Sequence, residues 1–151
     1  MLISGRRLAI DYGDVRIGMS ISDPTCIVVS PLTTIINSGE IEKVLTRLTE
    51  IVEENEIVVV YVGLPLHLSG TEGESAAKVR TFAQQLSQTL PPNIAVRLLD
   101  ERLSTASAER EARDTGKRIS RENIDQWAAV SILENALNSE KLSGQLAGIA
   151  L

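Results

Sequence analysis

The sequence predicts one α/β domain: a mixed sheet of five strands flanked by helices. Three observations predict it. Short aliphatic runs alternate with longer stretches of helical period. One run, Glu56-Ile57-Val58-Val59-Val60-Tyr61-Val62, is apolar almost throughout, the pattern of a central strand covered on both faces. The chain of 151 residues, 43% of them hydrophobic, is long enough for one substantial core.

Arg7 to Asp11 forms the first strand, with Leu8-Ala9-Ile10 as its buried centre. Arg16 to Ser22 alternates with period two and forms the second. The short turn between them predicts a hairpin, with a positive φ at Gly13. Asp23-Pro24 breaks the chain, and a third strand follows from about Leu32 to Ile36. Ser38-Gly39 opens a helix whose apolar stripe is Ile41, Val44, Leu45, Leu48, Ile51 and Val52. The central strand ends at Gly63-Leu64-Pro65. A polar loop through Gly73 then leads to a second helix over 74–90, stopped by Pro91-Pro92. Ile94 to Leu99 supplies the fifth strand, and helices are expected over 104–114 and 122–138. The tail from Ser139 is small and polar and is expected to fray. This order demands helix crossovers, and the absence of any linker or repeat predicts one domain over 1–138 with a short tail over 139–151.

Composition narrows the function. No apolar run approaches the roughly 20 residues of a membrane span, and the N-terminal residues lack the ordered regions of a signal peptide. One cysteine, Cys26, forms no internal disulfide and reads as a half-buried core residue in a reducing cytoplasm. A net charge of −5 argues against a general nucleic-acid coat protein, which needs a basic face. Bases nevertheless outnumber acids between Arg102 and Arg121 (Arg102, Arg110, Arg113, Lys117, Arg118, Arg121 against Glu109, Glu111, Asp114). That stretch is either a solvated helix face with local ion pairs or a phosphate-contacting patch.

Three acids stand at the ends of core elements. Asp11 ends the first strand, Asp100-Glu101 ends the fifth, and Asp125 shares a helix face with Ala128, Ala129 and Ile132. A carboxylate in such a place costs several kcal/mol to desolvate unless a cation meets it. Their convergence would make a divalent metal site acting on phosphate. Each acid also has an ordinary reading: a turn aspartate at Asp11 bonding to the backbone of Gly13, a dipole-favoured first-turn acid at Asp125. Asp100 and Glu101 point to opposite faces of an extended strand, so only one can join Asp11. Arg102 can partner the acid that faces away. Arg16 can pair with Asp14 or face a substrate. Ser104 and Thr105 resemble a helix N-cap and could also meet a phosphate. His67, the only histidine, is either a substrate contact or an ordinary loop residue, and offers little support for a serine or cysteine nucleophile. The loop over 63–73 leads to a helix N-terminus whose amides suit an anion, but it lacks the lysine ending of a P-loop.

Four segments occur in order: Ala9-Ile10-Asp11-Tyr12-Gly13-Asp14-Val15-Arg16-Ile17-Gly18; Val62-Gly63-Leu64-Pro65 with Gly70-Thr71-Glu72-Gly73; Asp100-Glu101-Arg102-Leu103-Ser104-Thr105; and Ile124-Asp125-Gln126-Trp127-Ala128-Ala129. Together, over residues 6–138, the chain resembles the YqgF family. These are the RuvX-type candidate nucleases of pre-16S ribosomal RNA, also described as Holliday-junction-resolvase-like. The resemblance implies an RNase H-like fold, phosphodiester hydrolysis with Mg²⁺ or Mn²⁺, and trimming of precursor ribosomal RNA in the cytoplasm. It implies Asp11 as the first-strand catalytic acid and Asp125 as the last-helix acid. Glu101 is the middle acid, with Asp100 as its alternative. In the two-ion scheme for phosphate chemistry, two metals about 4 Å apart flank the scissile phosphate, with Asp11 bridging both. Arg16, His67, Arg102, Ser104 and Thr105 are then expected on the substrate. Ala9 in place of glycine, and His67-Leu68-Ser69 in the loop, depart from the family pattern and bear on loop contacts.

Three other functions compete. A resolvase cutting four-way DNA junctions would work as a two-fold dimer, whereas a processing nuclease can be a monomer or homodimer. A silent nucleic-acid-binding factor in ribosome assembly or transcription would bind without cutting, on its own or on pre-ribosomal particles. An actin-like ATPase shares the look of Asp11-Tyr12-Gly13 but needs a second domain that 151 residues cannot supply.

Overall fold

The computed structural model describes residues 2–102 and 121–151. Its strands are β1 (Arg6–Tyr12), β2 (Arg16–Ser22), β3 (Val29–Ile36), β4 (Ile57–Leu64), β5 (Ala95–Asp100) and β6 (Ile149–Ala150). They form one sheet in the order β3-β2-β1-β4-β5-β6. The helices are α1 (Ile41–Glu54), α2 (Glu74–Thr89) and α3 (Arg121–Ser143). The first three strands are antiparallel neighbours, while β1, β4 and β5 run parallel and β6 returns antiparallel. Parallel neighbours require crossovers, and α1 and α2 supply them.

Alternation along the strands sorts the core into two layers. Leu8, Ile10, Val60, Val62 and Leu98 face α1 and α2, where Val44, Leu48, Val79, Phe82 and Leu86 cover them. Ala9, Val59, Tyr61 and Leu99 face the other way, onto Ile132, Leu133, Ala136 and Leu137 of α3. This is why β4 is apolar on both faces: it is buried from Val59 to Leu64. The mixed sheet flanked by helices is the one expected for an RNase H-like fold, with one strand more than the five expected.

Other differences have clear causes. The last helix runs five residues beyond the expected end at Asn138, to Ser143. The tail does not fray, since Ile149 and Ala150 pair with Leu98 and Arg97. Arg97 also holds the tail, donating to the carbonyls of Leu146, Ala147 and Gly148 at 2.7–3.3 Å. The third strand starts at Val29, earlier than expected, on the β2 pairing from Ser22–Val29 onward. Gly13 does not have a positive φ. Its N–H donates to the Arg16 carbonyl at 2.9 Å, and a Cβ there would press on that oxygen, so close approach is what the position requires. The helix expected over 104–114 lies outside the described residues. Among the described residues, no helix is long and apolar enough to cross a membrane.

A buried polar cluster ties α3 to the start of β1. Arg7 and Glu140, both at least 97% buried in their side chains, pair at 2.8 Å, and Tyr61 Oη donates to Glu140 Oε2 at 2.6 Å. The Ala147 N–H in turn donates to Tyr61 Oη at 3.1 Å. Burial and the bond to Glu140 push the Tyr61 hydroxyl well above its ordinary range.

Candidate active site

The site is built at the C-terminal ends of β1, β4 and β5, on the sheet face covered by α3. By strand parity Asp11 shares that face with Ala9, whose side chain packs among the α3 residues. Asp11 lies opposite Gly18 in the antiparallel β1–β2 pairing. A Cβ at Gly18 would stand 2.7 Å from Asp125 Cβ and still nearer the Asp125 backbone. The missing side chain therefore lets the first turns of α3 settle on β2, and Asp125 arrives beside Asp11. Two bonds pin the helix there: Ser20 Oγ donates to the Ala129 carbonyl at 2.7 Å, and Gln126 Nε2 to Thr34 Oγ1 at 3.0 Å.

Glu101 enters from the opposite side by the same device. It follows β5, and parity places it on the α3 face while Asp100 points away. Gly63 of β4 sits one residue beyond the Ile10–Val62 pair, level with Asp11. A Cβ at Gly63 would collide with Glu101 Oε2 and lie 2.6 Å from Ile132 Cδ1. The Glu101 carboxylate thus crosses the strand at its glycine, toward Asp11.

The acids influence one another in pairs. Burial and the nearby Asp125 charge raise Asp11 from 3.8 to about 6. Burial, then Asp11, then Asp100 raise Glu101 from 4.5 to about 7. Asp125 is raised by burial and held back by the positive charge of Arg16. Asp11 is the member coupled to both of the others. Arg16 accordingly lies by Asp125, whereas Asp14 reaches Lys78 at 3.4 Å on the surface. Gly13 bonds to Arg16, so the turn-aspartate reading of Asp11 finds no support.

The other expected residues have partners of their own. Arg102 forks onto Asp100, with Nη2–Oδ2 at 2.6 Å and Nε–Oδ2 at 2.9 Å, and lowers the Asp100 carboxyl. Its remaining Nη1 donates to the Leu68 carbonyl at 3.1 Å and braces the loop over 65–73. His67 is exposed in that loop. Its Nε2 is 2.6 Å from where a Gly73 Cβ would be, so the ring packs on its own loop. Asp11, Glu101, Asp125 and Arg16 are coupled in pairs through their charges; Asp100 and Arg102 pair apart from them, and His67 packs within its own loop. Ser104 and Thr105 lie outside the described residues. Sequence reasoning missed the part played by Gly63, although a glycine closing so apolar a strand is a signal of close approach.

The donor set suits a hard divalent cation: three carboxylates, half-buried, at least two of which repel a neighbour. None of the described residues donates a hydrogen bond to the carboxylate of Asp11 or Glu101. Among the described residues, however, no three acid, histidine or cysteine side chains stand at the spacing of a formed metal cage.

A family model described as RuvX, Holliday junction resolvase, matches residues 5–139. A candidate pre-16S rRNA nuclease of Streptomyces avermitilis is 44% identical over 146 residues, covering 95% of this chain and 92% of its own. One from a Nocardioides species is 42% identical over 149 residues, covering 96% and 95%. Among solved structures, T. thermophilus RuvC in complex with a Holliday junction superposes with a TM-score of 0.64 at 11% identity, covering 97% of this chain and 99% of that one. The yeast mitochondrial Holliday junction resolvase gives 0.54 at 12% identity, covering 94% and 85%. At such identities these two structures speak for the fold alone.

Proposed function

The chain belongs to the RuvX family, and from that membership we propose that it is a metal-dependent nuclease hydrolysing the phosphodiesters of precursor ribosomal RNA at the 5′ side of 16S. One observation carries the chemistry: Asp11, Glu101 and Asp125, from three separate elements, crowd onto one sheet face with their proton affinities raised. Crowded carboxylates are unfavourable by themselves and become favourable around a cation.

Asp11, coupled to both neighbours, is the central ligand, and Glu101 and Asp125 hold from either side. Mg²⁺ or Mn²⁺ ions bound there would supply a water activated for attack and a Lewis acid for the leaving 3′-oxygen. Arg16, whose charge acts on Asp125, would meet a flanking phosphate. Asp100 and Arg102 keep the loop over 65–73 in position instead of joining the ligands. The protein works in the cytoplasm, and its acidic net charge makes affinity for bare RNA weak and steep in salt, favouring substrate presented on a pre-ribosomal particle.

A second reading, a DNA junction resolvase, is favoured by the family description itself. The test is a matched-salt cleavage panel: a 5′-extended 16S precursor RNA beside a four-way DNA junction, with Mg²⁺ or Mn²⁺. Preferential cutting of the RNA supports the processing role. Symmetric cutting of the junction alone would replace it with the resolvase.

A further inference from the structure

Half of the four aromatic side chains in the sequence meet at the end of β1. The rings of Tyr12 and Phe82 stack with centroids 4.1 Å apart and planes 18° from parallel. Phe82 is buried, at 1% exposure, whereas Tyr12 is only partly covered. One face of the Tyr12 ring is thus fixed by the core, and its outer part borders a groove of about 390 Å³. Ile41 and one face of α2, with Lys78, Thr81 and Gln85, also line it. Tyr12 follows Asp11 at the end of β1 and points to the opposite face, so the groove lies on the α1/α2 side of the sheet and the acidic site on the α3 side, both at the same end of the strand.

We propose that the groove beside the Tyr12–Phe82 stack is a nucleobase subsite that holds an unpaired nucleotide of a strand passing over the end of β1 from the acidic site. The inference rests on the nuclease reading of the acidic site and extends it to substrate selection. A pre-fixed aromatic ring gives a base a stacking partner with little ordering cost, and it accepts any base because every base has a π-face. Gln85 carries both a donor and an acceptor for a base edge. Lys78 supplies the charge for the attached phosphate. Its pairing with Asp14 at 3.4 Å is between mostly exposed groups, worth little, and readily exchanged for a phosphate. Asp14 is the acid that opposes an anion here, so the subsite favours the base over a free phosphate. A duplex keeps its bases inside the stack, and the groove therefore selects unpaired or frayed ends.

The test is fluorescence anisotropy with a labelled single-stranded oligonucleotide, as RNA and as DNA, at low salt with EDTA so that nothing is cut. Tyr12→Phe should keep the affinity, because the stacking face survives. Tyr12→Leu should weaken it by roughly tenfold for either sugar. Thr81→Phe fills the groove from an exposed helix position, leaves the Tyr12–Phe82 stack in place, and should weaken binding equally. An oligonucleotide carrying 5-bromouracil should crosslink on irradiation to Tyr12 or to the α2 segment over 78–85. Unchanged affinity in Thr81→Phe, crosslinks only elsewhere, or no binding by the wild type would each overturn the subsite. None of these readouts involves cleavage, so a chain that binds here and cuts nothing would refute the nuclease reading and keep the groove.

Discussion

Asp11 and Glu101 are each disfavoured as charged groups where they stand, and this has a thermodynamic signature. Asp11 is pushed up from 3.8 to about 6 and Glu101 from 4.5 to about 7. The folded chain therefore keeps protons that the unfolded chain has released. Folding takes up protons between about pH 4 and 7, so these groups' contribution makes stability fall as pH rises through that window, with the whole penalty present above pH 7. Asp11→Asn removes the charge that both neighbours oppose. The variant should be more stable than wild type at pH 8 by about 3 kcal/mol, with little difference at pH 4. Denaturant melts at the two pH values measure this. Equal stabilities at both would mean that Asp11 is not held against its own charge. At this scale the sequence was informative: Asp11 and Asp125 stood out as acids on apolar patterns, and strand parity set Glu101 and Asp100 on opposite faces. The pairing of Arg102 with the acid that faces away was legible too, and the structure makes that acid Asp100; the place of Arg16 by Asp125 was not, because it depends on side-chain directions that spacing leaves open.

Between elements, the two glycines decide whether the acids meet. Gly18→Ala drives a Cβ into the Asp125 backbone, which cannot yield without moving α3. It should cost about 1–3 kcal/mol and most of the cleavage. Gly63→Ala meets the ends of the Glu101 and Ile132 side chains, which can turn aside. Its stability loss should be the smaller, while cleavage still falls as Glu101 is displaced. Melting temperatures and initial rates of the two variants, taken together, separate these effects; a fully active Gly63→Ala would show that Glu101 need not cross there. The far end of α3 is held differently. Glu140→Ala leaves Arg7 buried without a counter-charge and Tyr61 without its acceptor, and should destabilise by about 3 kcal/mol in equilibrium unfolding. A loss under 1 kcal/mol would mark the pair as dispensable. This part of the fold was poorly read from the sequence. The small polar residues after Ser139 suggest fraying, yet the apolar stripe of Ala129, Ile132, Leu133, Ala136 and Leu137 continues in phase to Glu140, which is buried because a cation waits for it. β6, two residues long, has no periodicity to detect.

The molecule as a whole is a sheet whose two faces have different duties. One carries α1 and α2 and most of the aliphatic core; the other carries α3 and, at its upper end, the acids. That division was legible in the nearly unbroken apolar run of β4 and in the order of strands and helices, since parallel neighbours force crossovers. The sheet order itself was not, because pairing partners far apart in sequence leave no local pattern. The central claim is that this fold assembles one reactive centre from Asp11 of β1, Glu101 beyond β5 and Asp125 of α3. Its most direct test is the single-turnover rate of RNA cleavage in Mg²⁺ for Asp11→Asn, Glu101→Gln, Asp125→Asn and Asp100→Asn beside the wild type. The first three should each lose at least roughly a hundredfold, while Asp100→Asn, which removes only a partner of Arg102, should stay within about tenfold. Loss at Asp100 with full activity at Glu101, or cleavage that survives Asp11→Asn, would contradict the account.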